Sequence, residues 1–301
     1  MEHRKDFPPK GMRREMDAPI PGLGVQAVRR HGRASKALFE HHWHDHLQLL
    51  RVRAGELRMR CRSGVVVVHP SEVLVLHRGE IHFSEGLSVA APIIDFDVVK
   101  MDFAFLESAR ADACQVNFLE PLRAGRLVFE SLVRDSEVGV RIDELLREAD
   151  TRDVGFELAL KGACLSLLSL LVRRHLEATL GAAEAARRTA QQQRLGAVLV
   201  RLEQDFREDI PLSELAHLAG LCESHFCRVF RSLTGKSLVE YRNRLRISAA
   251  REQLSSSTEP VEQIAFACGF QDPNYFSRIF HKLESISPSE YRMQKTKDLR
   301  A

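Results

Sequence analysis

The chain is 301 residues long, 44% apolar and 28% charged, which suits two packed domains and excludes a disordered or fibrous chain. Its formal charge is +3, from 44 basic and 41 acidic side chains. That balance neither demands nor rules out a nucleic-acid partner, so a binding surface has to come from placed residues.

The first residues lack the apolar core of a secretion signal. The apolar run at 163–172 falls well short of the roughly 20 residues that cross a bilayer. Six cysteines are scattered without a C-x-x-C pair, so a soluble, cytoplasmic chain with reduced thiols and no membrane partner is expected.

Residues 1–36, rich in Pro, Gly and basic side chains, read as a tail with at most one loose strand. From 37 to 107 the texture is β. Leu57-Arg58-Met59-Arg60-Cys61-Arg62 alternates apolar and basic residues, the period of a strand with one buried face. Val65-Val66-Val67-Val68 and Val73-Leu74-Val75-Leu76 are further short strands, Gly55, Gly64 and Gly79 punctuate the run, and a closing strand is expected at 93–99. Strands at this spacing predict a small all-β barrel. Residues 108–190 turn helical, with a broad apolar stripe carrying Leu165, Leu168 and Val172 and a polar, Ala-rich linker at 182–193. Residues 191–301 form a second, all-α domain.

That second domain repeats itself at a period of fifty residues. Ser224-His225-Phe226-Cys227-Arg228-Val229-Phe230-Arg231 lines up with Asn274-Tyr275-Phe276-Ser277-Arg278-Ile279-Phe280-His281. Ala216 and Gly220 precede the first copy as Ala265 and Gly269 precede the second, and Tyr241-Arg242 and Tyr291-Arg292 follow them. Each copy reads as helix, tight turn with Gly, helix. Phe226, Val229, Phe230 and Leu233 fix the buried face of the first, and Phe276, Ile279, Phe280 and Leu283 that of the second. The outer faces then carry Ser224, Cys227, Arg228 and Arg231, and Asn274, Ser277, Arg278 and His281. Arg reads guanine and Asn reads adenine in a major groove, so these are the candidate base readers. Asp272-Pro273 caps the second of these helices, Ser237-x-x-Glu240 and Ser287-x-x-Glu290 are capping boxes, and Arg242, Arg244 and Arg246 are candidate phosphate contacts.

The stretch Glu262-Gln263-Ile264-Ala265-Phe266-Ala267-Cys268-Gly269-Phe270, with Tyr275-Phe276-Ser277-Arg278-Ile279-Phe280 and Ser287-Pro288-x-x-Tyr291-Arg292, resembles the AraC/XylS-type DNA-binding domain. The resemblance covers about 195–291 and implies seven helices with two helix-turn-helix units. It also implies a bacterial transcription regulator, activator or repressor, that meets double-stranded DNA and RNA polymerase, and it carries base-facing roles onto Ser224, Cys227, Arg228, Asn274, Ser277 and Arg278. Ser285 stands where such domains have Gly, and Cys222 where they have a Ser or Thr cap.

The front half resembles the cupin-type sensor barrel that often precedes this domain. His42-x-His44-x-His46-x-Gln48 puts four polar side chains on one strand face, and His82, after Arg78-Gly79-Glu80-Ile81, resembles a second cupin histidine. In metal cupins such histidines act with a carboxylate, and here Gln48 takes its place. The expectation is therefore a small-molecule effector pocket using His42, His44, Gln48 and His82, with no metal, no other cofactor and no catalysis. The stripe at 156–176 resembles the dimerising helix of such regulators and implies a homodimer. The alternatives are a metal-dependent cupin enzyme with a DNA-binding tail, and a thiol-based redox sensor acting through Cys222 or Cys227.

Overall fold

Alternating and β-branched runs in the front half close on one another as antiparallel strands. The structure, a computed structural model, describes residues 13–14, 23–33, 42–85 and 93–298. One unit comprises Arg13–Gln193, and a second contains Arg194–Ala301.

In the front unit a five-stranded sheet runs in the order Leu132–Val133, Val73–Leu76, Leu47–Ala54, Ile93–Met101, Val25–Arg33. A three-stranded sheet has the order Gly64–Val68, Leu57–Cys61, Phe83–Glu85. Period two divides the large sheet's side chains between two cores. Leu50, Val52, Leu74, Leu76, Ile94, Phe96 and Val98 meet Leu57, Met59, Cys61 and Val68 of the smaller sheet to form the barrel interior. The opposite face buries Leu47, Leu49, Val73, Val75 and Val99 against the helices Ser136–Thr151 and Phe156–Arg174.

Two boundaries differ from the sequence reading. The one strand allowed within 1–36 is present as Val25–Arg33, and it is not loose: it pairs along its whole length with Ile93–Met101. Residues 108–190 are not wholly helical either, because Leu127–Phe129 pairs with Leu176–Thr179 and Leu132–Val133 extends the large sheet. The expected linker at 182–193 belongs to a 23-residue helix, Ala182–Gln204. Among the described residues no helix is long and apolar enough to cross a membrane.

The second unit is built from the end of that helix followed by Leu212–Ala219, Glu223–Thr234, Leu238–Ser256, Val261–Ala267, Pro273–Glu284 and Pro288–Asp298. The fifty-residue repeat is a repeat of packing. The Phe226 and Phe230 rings lie tilted with centres 5.5 Å apart, and Phe230 meets Tyr241 edge-on at 5.4 Å. The Phe276 and Phe280 rings lie tilted with centres 5.7 Å apart, and Phe280 meets Tyr291 edge-on at 5.5 Å. Gly220 and Gly269 make the turns with φ of 67° and 89°. At Gly269 a Cβ would also lie 2.6 Å from the Arg207 Cα, so only glycine fits there.

Candidate nucleic-acid interface and histidine cluster

The buried aromatic face of each helix fixes which residues face outward. Phe226 and Phe230 are buried, while Ser224, Cys227, Arg228 and Arg231 are exposed. Phe276 and Phe280 are buried, while Asn274, Ser277, Arg278 and His281 are exposed. The seven candidate readers thus lie on the two equivalent outer faces.

Their surroundings distinguish them. The Arg278 guanidinium lies 5.3 Å from the centre of the Tyr275 ring, and the Tyr275 hydroxyl accepts a 2.8 Å hydrogen bond from Asn243 Nδ2. The Ser277 hydroxyl donates to Pro273 O at 2.9 Å, which leaves it only as an acceptor toward a partner. Asp272 caps the helix through the Asn274 N–H at 2.8 Å, whereas Cys222 starts Glu223–Thr234 with no side-chain cap bond. The exposed Cys222 thiol is drawn below its usual range by the Ser224 hydroxyl, the His225 backbone N–H and Arg228. Cys227 is also exposed. By contrast, burial pushes Cys61 and Cys268 up to about 11 and Cys164 up to about 12.

The expected phosphate row needs correction. Arg246 is buried, its Nε donating to Phe206 O at 2.7 Å and its Nη2 bonding to Arg207 O, Glu208 O and Asp209. It ties down the loop after Ala182–Gln204 and stacks on Phe270. Arg242 pairs with Asp209 at 3.2 Å. Arg244 is the exposed member of the three.

In the front unit the strand face read over 42–48 is interrupted. His42–Trp43 is a strand, Asp45 and His46 form a bend, and the next strand restarts at Leu47. A long-range bridge replaces that face: His42 N–H donates to His82 O at 3.1 Å and His82 N–H to His42 O at 3.0 Å. Directly paired residues put their side chains on the same side, and the His42 and His82 ring centres lie 4.2 Å apart. His44 joins them, 5.0 Å from His82. One ligand nitrogen from each of His42, His44 and His82 lies within 4.8 Å of the others. His46 lies outside this trio, its ring 5.8 Å from that of His44.

The tautomers follow from the hydrogen bonds. His44 Nδ1 is 3.1 Å from His46 O, and His82 Nδ1 is 2.8 Å from Glu80 O. A carbonyl only accepts, so each Nδ1 carries the proton and each Nε2 presents a bare lone pair. Both Nε2 atoms are buried without a hydrogen-bond partner, as is Gln48 Oε1. Burial, with the charges of His42, Lys100 and His46, holds His44 at about 3. Burial with His42 and His44 takes His82 well below its ordinary value. Both rings are therefore neutral near pH 7.

Sequence reasoning missed three groups around this cluster. Lys100 is buried opposite Gln48 across the paired strands. Glu80 is buried, which alone would raise its pKa. Hydrogen bonds from the His77 side chain, the His77 N–H and the Arg62 N–H outweigh burial and hold it at about 2. His77 Nε2 in turn accepts from the Phe129 N–H at 2.9 Å. The Glu80 carboxylate is thus engaged away from the imidazoles. The spacing Arg78-Gly79-Glu80 offered only a turn; the partners that define Glu80 come from elsewhere in the chain.

Comparison with known proteins bears on both units. Residues 215–294 match the family model described as a helix-turn-helix domain, and residues 25–168 match the AraC-like ligand binding domain. The front unit is thus similar to an AraC-like ligand binding domain and the second unit to a helix-turn-helix domain. The HTH-type transcriptional activator RhaR of Yersinia pestis bv. Antiqua (strain Angola) is 28% identical over 153 residues, 51% of this chain and 51% of that protein. RhaR of Mannheimia succiniciproducens is 32% identical over 99 residues, 33% of this chain and 36% of that protein. The chain spans about half the length of the first of these curated relatives or less. Among solved structures, ToxT from Vibrio cholerae aligns over 90% of this chain and 98% of its own, at 14% identity and a TM-score of 0.41. The DNA-binding domain of AdpA in complex with a target DNA covers 33% of this chain and 90% of its own, at 29% identity and a TM-score of 0.32.

Proposed function

We propose that the protein is a sequence-specific, DNA-binding transcription factor, an activator whose front unit receives an effector. The observation that carries this reading is the duplicated outer face: two helices with the same aromatic core, each exposing an Arg at the same offset, Arg228 and Arg278. A recognition helix presents residues near its N-terminus to base edges. Ser224, Cys227, Arg228 and Arg231 are assigned to one major-groove segment, and Asn274, Ser277 and Arg278 to the next. The 19 residues of Leu238–Ser256 make a rod about 28 Å long, a spacer of the right order for grooves one turn, about 34 Å, apart.

The effector site is assigned to the end of the barrel interior at His42, His44, Gln48 and His82. Contact with RNA polymerase follows from the activator role. A homodimer is assigned to the groove of about 410 Å³ beside Phe118, Leu165, Leu168 and Val172. Sedimentation of Leu165→Arg as a monomer, with the parent chain a dimer, is the expected result, and a monomeric parent removes that assignment.

Selection of full-length protein on a random-site duplex library tests the main reading. The expected product is an asymmetric site with two short preferred blocks about one helical turn apart. Failure to enrich any sequence overturns it.

A further inference from the structure

Packing alone does not account for an asparagine at position 243. Asn243 lies inside the helix Leu238–Ser256, where Asn is a poor helix former, and it is buried on a helix that also buries Tyr241, Ile247 and Ala250. A buried amide is costly unless it is paired. The Asn243 Nδ2 donates to the Tyr275 hydroxyl at 2.8 Å, across to the helix Pro273–Glu284. A leucine would fill a similar volume without that demand, so the bond accounts for the residue.

Tyr275 is held from a second side as well. Its ring centre lies 6.1 Å from that of the buried Phe270, and the Arg246 guanidinium lies 5.7 Å from the Phe270 centre. Arg246 is itself fixed by the carbonyls of residues 206–208. With Phe270 on its flank and Asn243 on its hydroxyl, the Tyr275 ring is a set platform. The exposed Arg278, three residues on, lays its guanidinium 5.3 Å from the centre of that ring. The first copy has no such support. His225 stands where the second copy has Tyr275. Among the described residues no ring lies against Arg228 and no hydrogen bond reaches the His225 ring.

We propose that Asn243 and Tyr275 are positioning residues for base reading: Asn243 fixes the Tyr275 ring, and the ring holds Arg278 in the orientation that a bidentate base contact needs. This deepens the base reading assigned above and rests on it. Ordering one rotamer-rich side chain on binding weakens a contact by about 2- to 12-fold, and a guanidinium oriented beforehand avoids that loss. The gain belongs only to the duplex whose base matches the fork. On a mismatched or random duplex Arg278 makes no bidentate contact, so the relay adds preference at one base pair and not general affinity. A residue that merely packed the core would move both alike.

Random-site selection and duplex titration with the full-length chain test the relay at the base pair whose preference Arg278→Ala relaxes. Tyr275→Phe keeps the ring and deletes the hydroxyl, and Asn243→Leu keeps the volume and deletes the donor. Each should lower preference at that pair by about 2- to 12-fold, with the block read by the first copy and the affinity for random duplex unchanged. Asn243→Asp should restore the preference, because the Tyr275 hydroxyl can donate to a carboxylate. In the Arg278→Ala chain, Tyr275→Phe should change nothing further. Unchanged preference in Tyr275→Phe overturns the proposal, whether or not Asn243→Leu folds. So does a loss shared equally by both blocks and random duplex, a further loss in the Arg278→Ala chain, or an Arg278→Ala chain that relaxes no pair. A parent chain that enriches no site overturns the DNA reading and the relay with it. A parent that enriches a site whose preferences survive Tyr275→Phe overturns the relay alone.

Discussion

At the scale of single residues, the two outer faces are not equivalent in what they present. Arg278 is stacked on Tyr275, itself held by Asn243, so its fork is partly oriented before DNA arrives and less freedom is lost on binding. Arg278→Ala should cost about 1–3 kcal/mol in specific affinity and relax preference at one base pair. Arg278→Lys should keep affinity for random duplex but lose that preference, because an ammonium cannot make the bidentate contact. Titration of specific and random duplexes separates the cases: equal weakening by Arg278→Ala on both would make it a phosphate contact. Arg246 teaches the opposite lesson. Its sequence neighbours suggested a phosphate row, but its guanidinium closes the carbonyls of residues 206–208. Whether a helical arginine faces solvent or a loop depends on the loop, which lies some forty residues away.

At the scale of elements, helix ends show where local sequence and fold agree and where they conflict. Gly235 ends the first repeat's outer helix at φ 69°, and Ser285 ends the second at φ 62°. The left-handed region favours glycine because a Cβ crowds the following carbonyl, at roughly 1–2 kcal/mol. Ser285→Gly should therefore stabilise the second unit by about 1 kcal/mol, after allowance for glycine's greater freedom when unfolded. Chemical denaturation checks it, and unchanged or lower stability would mean the serine makes a compensating contact.

This helical half was legible in the sequence because its information is local. Aromatic spacing, a Gly turn and a capping box lie within one or two turns of each other, and the structure forms both bonds of the Ser237–Glu240 box. The β half was legible only as strands. Leu57–Cys61 and Val73–Leu76 fall where alternation placed them, but Val25–Arg33 finds its partner some seventy residues later. The histidine cluster was half legible for the same reason. Period two grouped His42 with His44, and nothing in the spacing could show that a bend removes His46 while a bridge delivers His82.

At the scale of the whole molecule, the two units have cores with no residue in common. One gathers strands and the helices Ser136–Thr151 and Phe156–Arg174; the other gathers Phe206, Ile247, Ile264, Phe276 and Phe280. A single cooperative transition is a property of one shared core, so calorimetry of the full chain should resolve two. Phe280→Ala removes a fully buried ring that touches Phe276 and Tyr291, and should lower only one of them, by about 3–5 kcal/mol. Ile142→Ala, in the other core and equally buried, should lower only the other, by about 2–5 kcal/mol. Ligands then sort by the same logic, because anything that binds the folded state raises the transition of the unit it binds. Specific duplex at a hundredfold excess over Kd should add about 2.7 kcal/mol to the transition that Phe280→Ala lowers. If duplex raised the transition that Ile142→Ala lowers, or if one substitution moved both, the assignment of DNA reading to one of two separate cores would be wrong.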